Sequence, residues 1–306
     1  MDQATKNEYG IKVDMFISDP KYVGTITEEE AAELDATLFS YSYGNEALGY
    51  NLTLNWAINT NEDTIVLARY TYDGIPSGLA VNYMLALLCT KKSIADVDGI
   101  TFIALDKFLR DNPKIEALPT SERYAITFAL DAAKLAVKKY IGVALSHEEK
   151  TTPCKDTPMS IISIKETMAL HNIDTLETLA EYTKAGSSDT DCKETLLELI
   201  EAQKKSFAAE QEAENALSET PFKDLSPEHR VIAVEIAIDN TVRDFLIMDG
   251  GDIDILNVKE EGDMYVVYIS YLGACSSCSS SGTGTLYAIQ NALRDKLDPN
   301  IHVVAI

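Results

Sequence analysis

Positive charge is scarce in this 306-residue sequence: 26 Lys and Arg stand against 49 Asp and Glu, a formal net charge of −23. A surface that acidic repels phosphate, so neither nucleic acid nor an anionic membrane is expected as a partner. Long apolar runs are missing as well. The best of them, Gly78 to Cys89, stops at Lys91-Lys92, short of the ~20 residues of a spanning helix. Met1 to Asp14 is polar and mixed in charge, without the basic start and apolar core of a secretory leader. A cytoplasmic protein is therefore expected. Cysteine is sparse: Cys89, Cys154, Cys192, Cys275 and Cys278 are scattered and odd in number, unlike a disulfide framework. No ATP-binding loop, nucleophile–base pair or catalytic dyad is visible, and no enzyme with its own turnover is expected. What remains is globular in composition, 46% hydrophobic with nine prolines, and long enough for two or three domains.

Three segments separate by pattern, giving an α+β fold class. In the first, Tyr50 to Ile58 and Thr64 to Tyr72 alternate apolar and polar residues around the polar run Asn59 to Asp63, which predicts a hairpin. Helical periods follow, the clearest from about Ser121 to Tyr140. The second segment, about Lys150 to Ile200, reads as short helices. Asp174-Thr175 predicts an N-cap for the run TLETLAEY, and Gly186 a stop. The next helix, from about Asp191, is rich in Ala, Glu, Leu and Lys and reads as a connector ending near Pro221. The third segment opens with a helix, Pro227 to Met248, broken by Asp249-Gly250-Gly251-Asp252. Two alternating strands follow, Asp252 to Val258 and Met264 to Tyr271. A helix from about Thr285 to Leu297 and a strand from Ile301 to Ile306 close the chain.

Between the second strand and that helix lies Leu272-Gly273-Ala274-Cys275-Ser276-Ser277-Cys278-Ser279-Ser280-Ser281-Gly282. Two thiols three residues apart on a tight loop can share a soft metal. Neighbouring backbone N–H groups and the following helix would favour thiolate over thiol. A lone pair of this spacing also suits a redox dithiol, half a zinc site or two inert thiols. A cubane or rhombic cluster wants about four cysteine ligands, and structural zinc four Cys or His. This loop offers two, and His229 and His302 sit near the two ends of the segment with no ligand spacing. Cluster binding here then implies a dimer, with two loops supplying four thiolates.

Asp249-Gly250-Gly251-Asp252, the Gly273-Ala274-Cys275-x-x-Cys278 loop, the serine-rich turn and Thr285-Leu286 resemble the C-terminal domain of NifU-type iron–sulfur proteins over about eighty residues. The resemblance implies a [4Fe–4S] cluster held by Cys275 and Cys278 of two chains, for transfer to apo-proteins. Asp249 and Asp252 are expected to cap and turn rather than touch iron.

The resemblance extends upstream. Asp19-Pro20-Lys21-Tyr22-Val23-Gly24 resembles the opening of the U-type scaffold domain, and Ile26 to Ala31 its longer form. The family's three ligand motifs, Cys-Gly-Asp, Gly-Cys-Gly and His-Cys-Ser, fall on Leu48-Gly49-Tyr50, Gly74-Ile75-Pro76 and Tyr124-Ala125-Ile126. No thiolate survives, and Tyr50 and Tyr124 offer oxygen at most. Cys89 reads as a small buried hydrophobe. Glu181-Tyr182-Thr183-Lys184-Ala185-Gly186 resembles the end of the family's BFD-type [2Fe–2S] ferredoxin-like domain. There the early cysteine pair becomes Cys154-Lys155-Asp156 and the late pair Asp189-Thr190-Asp191-Cys192. A labile Cys/Asp metal site at Cys154, Cys192, Asp156 and Asp189 stands against relict residues on a solvated loop.

The expected organisation is a degenerate U-type scaffold-like domain at 1–145, a degenerate ferredoxin-like segment at 150–200, a helical linker at 201–222 and a NifU C-terminal domain at 223–306. The expected function is a homodimeric cluster carrier serving apo iron–sulfur proteins, its first domain docking a cysteine desulfurase, a true scaffold paralogue or an acceptor. Two other classes compete. A thiol–disulfide redox protein could use Cys275 and Cys278, although the βαβ setting of thioredoxin-like chemistry is missing. A non-metal interaction protein would use all three segments as inherited folds.

Overall fold

The computed structural model describes residues 9–248, 251–262, 264–273 and 284–306. The chain divides into two units, Met1–Lys204 and Lys205–Ile306.

The first unit opens with α1 (Ile11–Ser18) and α2 (Glu28–Glu33), the latter capped by the Thr27 side chain on the Glu30 N–H. Strands β1 (Thr37–Asn45), β2 (Tyr50–Asn59) and β3 (Thr64–Asp73) form one antiparallel sheet in that order. The expected hairpin is β2–β3. It turns because the Asn59 carboxamide oxygen accepts the N–H groups of Asn61 and Glu62, at 3.0 and 3.3 Å. Helices α3 (Pro76–Cys89), α4 (Ile94–Val97), α5 (Phe102–Leu109), α6 (Tyr124–Tyr140) and α7 (His147–Lys150) follow. Pro76 starts α3, where its missing N–H costs nothing. Nearly the whole circumference of α3 is apolar, as a buried helix requires. From α6, Ala125, Phe128, Ala129, Ala132 and Ala136 pack into one core with Leu52, Leu54 and Trp56 of β2.

The same unit holds α8 (Ile161–His171), α9 (Leu176–Thr183) and the beginning of α10 (Lys193–Glu219). Thr175 caps α9 through the Thr178 N–H, as its sequence predicts. Met159, Ile164, Met168, Leu179, Leu196 and Ile200 belong to the core that contains Trp56, so the segment after residue 150 shares a core with the sheet. A buried carboxylate crosses this seam. Asp131 of α6 accepts the Tyr43 hydroxyl from β1 and the Ser163 hydroxyl from α8, the latter at 2.6 Å.

The second unit contains α11 (Pro227–Ile238), a π-helical turn over Asp239–Arg243, α12 (Asp244–Met248), β4 (Gly251–Glu261), β5 (Met264–Gly273), α13 (Leu286–Lys296) and β6 (Ile301–Ala305). β4 and β5 pair antiparallel, whereas β5 and β6 pair parallel. Parallel neighbours need a crossover, which α13 supplies. Val234, Ile238, Ile253, Val267, Ile289, Leu293 and Val303 form its core. Arg230 is buried beside it: its guanidinium donates to the Phe222 and Lys223 carbonyls, pairs with Glu260 at 2.7 Å and lies over the Tyr265 ring. Both units are thus mixed α/β. Among the described residues, no helix is long and apolar enough to cross a membrane.

Burial raises the Asp131 carboxyl above its ordinary range, against the lowering pull of Ser163 and Tyr43. Asp131→Ala strands two buried hydroxyls and is expected to cost roughly 2–4 kcal/mol in urea unfolding. The folded state holds this proton more tightly than the unfolded chain does. The group's contribution is therefore complete at pH below the ordinary carboxylate range and is lost as pH rises through the folded value. Asp131→Asn keeps an acceptor and cannot titrate. Its unfolding midpoint is expected to fall less than the parent's as pH is raised across that window.

Candidate metal-binding sites

Three sets of positions carry the metal question, and they have three different fates. At the first, the two family cysteines, Cys275 and Cys278, lie outside the described residues, as does Asp249. Their frame is described. β5 ends at Gly273, paired with Gly251 at the start of β4, and α13 begins at Leu286. Asp252 at this end is fixed by Arg243, whose Nη1 donates to its carboxylate at 2.9 Å and to the Ile253 carbonyl at 3.3 Å. Asp239 accepts from the same guanidinium. The carboxylate of Asp252 thus braces the strand entry, in keeping with a structural role.

At the second, the three motif positions of the first unit do converge, but on an aromatic cluster. Gly49 turns the chain in a left-handed conformation, φ 64°, after a 3₁₀ turn, and delivers Tyr50 to the start of β2. The Tyr50 ring meets Phe128 at 4.7 Å and Tyr72 at 5.4 Å, both edge-on, and Tyr124 meets Phe128 at 5.3 Å. A Cβ at Gly74 or Gly78 would collide with the Tyr72 hydroxyl, so glycine is what lets this ring fill the space. Lys184, just past α9, places its ammonium 4.3 Å from the Tyr124 ring centre. Burial drives the Tyr50 and Tyr72 phenols well above their usual range and Tyr124 to about 12. Phenolate is the ligating form, and these groups are held protonated. Cys89 is fully buried on α3, and burial pushes its thiol up to about 12, which makes it inert.

At the third, the structure corrects the sequence reading. The odd count and wide scatter of cysteines argue against a disulfide, yet Cys154 and Cys192 are joined in one, with Cα atoms 5.3 Å apart. Neither is on a solvated loop; they are 3% and 4% exposed. A separation of 38 residues gives no spacing signal in the sequence, and only the folding of α8 and α9 between them brings the pair together. Asp156 joins them: one of its oxygens and both sulfurs all lie within 4.8 Å of one another. Asp189 does not join this group. Its carboxylate accepts the Lys155 and Asp191 N–H groups, at 2.8 and 3.1 Å, and the Lys155 N–H first among these holds it below the usual range.

Sequence reasoning passed over Asp131 as a structural centre. The signal was present, because an aspartate interrupts the apolar run Ala125 to Ala133 and must find donors when buried.

Comparison with known proteins supplies the family. The profile of the NifU-like N terminal domain matches residues 8–146, and that of the NifU-like domain matches residues 234–304. The nitrogen fixation protein NifU of Nostoc sp. is 26% identical over 315 residues, covering 98% of this chain and 99% of that protein. The chloroplastic NifU-like protein 1 of Arabidopsis thaliana is 40% identical over 73 residues, 24% of this chain and 28% of that protein. The mitochondrial NifU-like protein of Saccharomyces cerevisiae is 36% identical over 73 residues, with the same coverage of 24% and 28%.

The Cys154–Cys192 bond closes a loop across the middle segment. Loop-closure entropy for its 38-residue separation amounts to about 4 kcal/mol. Reductant is expected to lower the urea midpoint of the first unit correspondingly, and Cys154→Ser/Cys192→Ser to remove the effect of reductant. Equal midpoints with and without reductant in the parent chain would contradict this.

Proposed function

The chain belongs to the NifU family, and from that premise we propose that it carries an iron–sulfur cluster on the loop of Cys275 and Cys278 and passes it to apo-proteins in the cytoplasm. One observation carries this reading. The NifU-like domain match, residues 234–304, spans the cysteine pair of a unit that has no other cysteine. Two such loops, one from each of two chains, would supply the four thiolates of a [4Fe–4S] cargo. The loop joins β5 to α13, each anchored in the core of the unit by residues such as Ile269 and Ile289. Cys275 and Cys278 stand three residues apart in the sequence between these two elements, a spacing that lets two thiolates share one soft metal. Transfer is then stepwise ligand exchange, in which thiolates of the acceptor displace Cys275 and Cys278 one at a time. The protein needs no turnover chemistry of its own for this.

The first unit serves docking in this scheme. Residues 1–145 supply a U-type scaffold-like body whose three cysteine positions are occupied by Leu48, Ile75 and Ala125, with Tyr50 and Tyr124 in place of the Asp and the His. The 150–200 segment is the remnant of a BFD-type ferredoxin-like domain, 201–222 a helical linker and 223–306 the carrier domain. A cysteine desulfurase or an intact scaffold paralogue is the partner class such a body fits.

Anaerobic reconstitution with iron and sulfide tests the reading, with the mass in solution followed alongside. The parent chain is expected to take up a [4Fe–4S] chromophore as a dimer, and Cys275→Ser/Cys278→Ser to lose both chromophore and cluster-dependent dimer. Cys154→Ser/Cys192→Ser is expected to keep them. A parent chain that takes up neither iron nor sulfide overturns the proposal.

A further inference from the structure

The Cys154, Cys192 and Asp156 group combines features that an ordinary structural disulfide does not need. Two sulfurs and a carboxylate oxygen fall within 4.8 Å of one another, the donor set of a thiophilic divalent cation such as Zn²⁺ or Fe²⁺. The carboxylate is aimed by the backbone. Its Oδ2 accepts the Ser188 and Asp189 N–H groups, both at 2.8 Å, with the Ser187 and Ser188 hydroxyls at 3.3 and 3.4 Å. Among the described residues its Oδ1 accepts the Gly186 N–H alone, at 3.2 Å, and keeps a lone pair for another partner. Carboxylates that ligate metals are held by such outer hydrogen bonds. Access exists too: Cys154 lines a cleft of about 460 Å³ with Asn45, Leu48 and Lys155, and Asp156 lines a second cleft with Leu48 and Lys184.

The same sulfurs cannot be joined to each other and serve as two thiolate ligands. We propose that this group is a redox-gated mononuclear metal site. The disulfide is its metal-free state, and reduction opens a site in which Cys154, Cys192 and Asp156 bind one thiophilic divalent cation. Three protein ligands leave the fourth position to water or an incoming group. The reductant is a dithiol. One of its thiolates attacks a cysteine sulfur and the Cys154–Cys192 bond breaks. The second thiolate then resolves the mixed disulfide, leaving the reductant as a cyclic disulfide. Its two electrons and two protons end on Cys154 and Cys192, and the entering cation displaces those two protons. Cα atoms 5.3 Å apart suit a bonded pair. Side-chain rotation alone can open them to the spacing of two ligands on one metal. The proposal does not depend on the cluster at Cys275 and Cys278.

The test uses the full chain carrying Cys275→Ser/Cys278→Ser, so that the remaining thiols are this pair and the buried Cys89. Cobalt(II) serves as the probe, because thiolate ligation gives it a charge-transfer absorption. After reduction and removal of the dithiol, the chain is expected to bind one equivalent with that absorption. The oxidised chain should bind none, and reoxidation should release the metal. Adding Asp156→Asn, which spares both sulfurs, is expected to weaken binding at least ~10-fold. Zinc is expected to raise the urea midpoint of the reduced chain and leave that of the oxidised chain unchanged. A reduced chain whose thiols are titratable but which shows no charge-transfer band overturns the proposal. Equal binding by the oxidised chain, or by a reduced chain that also carries Cys154→Ser/Cys192→Ser, overturns it as well.

Discussion

The edge-on packing of Tyr50 against Phe128, 4.7 Å between ring centres, is the contact around which the first unit is organised. It joins the start of β2 to the N-terminal part of α6. Tyr72 adds β3, and Gly74 and Gly78 let the start of α3 close over the Tyr72 ring. These are the segments onto which the ligand motifs of the resemblance fall, and without thiolates there other side chains fill the space, because protein interiors do not keep voids. Aromatic rings do this at some cost. The Tyr50 and Tyr72 hydroxyls are buried without a partner, roughly 1–3 kcal/mol each, offset by burial of two large rings. The aromatic cluster then supports the next layer. Tyr124 offers its face to Lys184, and Arg123 reaches Glu181 of α9 at 3.1 Å. The helices after residue 150 pack on the sheet-bearing part of the unit partly through these contacts.

Scarcity of positive charge shapes the rest. With 49 acidic residues against 26 basic ones, a guanidinium in the interior holds several chain segments at once. Arg230 ties α11 to the carbonyls of Phe222 and Lys223 and to Glu260 on β4. Arg243 ties the π-helical turn to Asp252 and so fixes where β4 begins, opposite the end of β5. A planar guanidinium with five donors can brace two strands and a helix in this way, where a lysine could not. Asp252, expected from the sequence to cap and turn, is thereby placed as a partner of Arg243.

Elements with a strong period were legible in the sequence: the β2–β3 hairpin, α6, the capped α9, and the order of helix, hairpin, helix and strand in the second unit. β1 was not, because Ser40, Ser42 and Gly44 dilute its alternation on an edge strand whose outward residues pair as hydroxyls, Ser42 with Thr53 at 2.9 Å. α1 was hidden in a polar, mixed-charge stretch. Periodicity also could not show that the segment after residue 150 shares a core with the sheet. That follows from Asp131, which collects hydroxyls from β1 and α8. The disulfide was illegible for a similar reason: the fold, not local spacing, brings Cys154 to Cys192. At the three motif positions of the first unit the absence of cysteine is read directly from residue identity, while the packing of Tyr50, Tyr72 and Phe128 there is visible only in the fold.

The chemistry of the two units diverges for a physical reason. A cluster to be handed on must sit where incoming thiolates can reach it, with ligands that exchange. Among its described residues, the motif positions of the first unit offer no such place. Tyr50, Tyr72 and Tyr124 would have to lose protons that burial binds tightly, and Lys184 lies over the outer ring. The group of soft donors found among its described residues pairs the buried Cys154 and Cys192 with a half-buried Asp156, three ligands of which one is a hard oxygen. That set suits a single retained cation better than a transferable cluster. On the proposed reading, cargo chemistry is left to Cys275 and Cys278, and the proposed metal site of the first unit answers to the redox state of one bond.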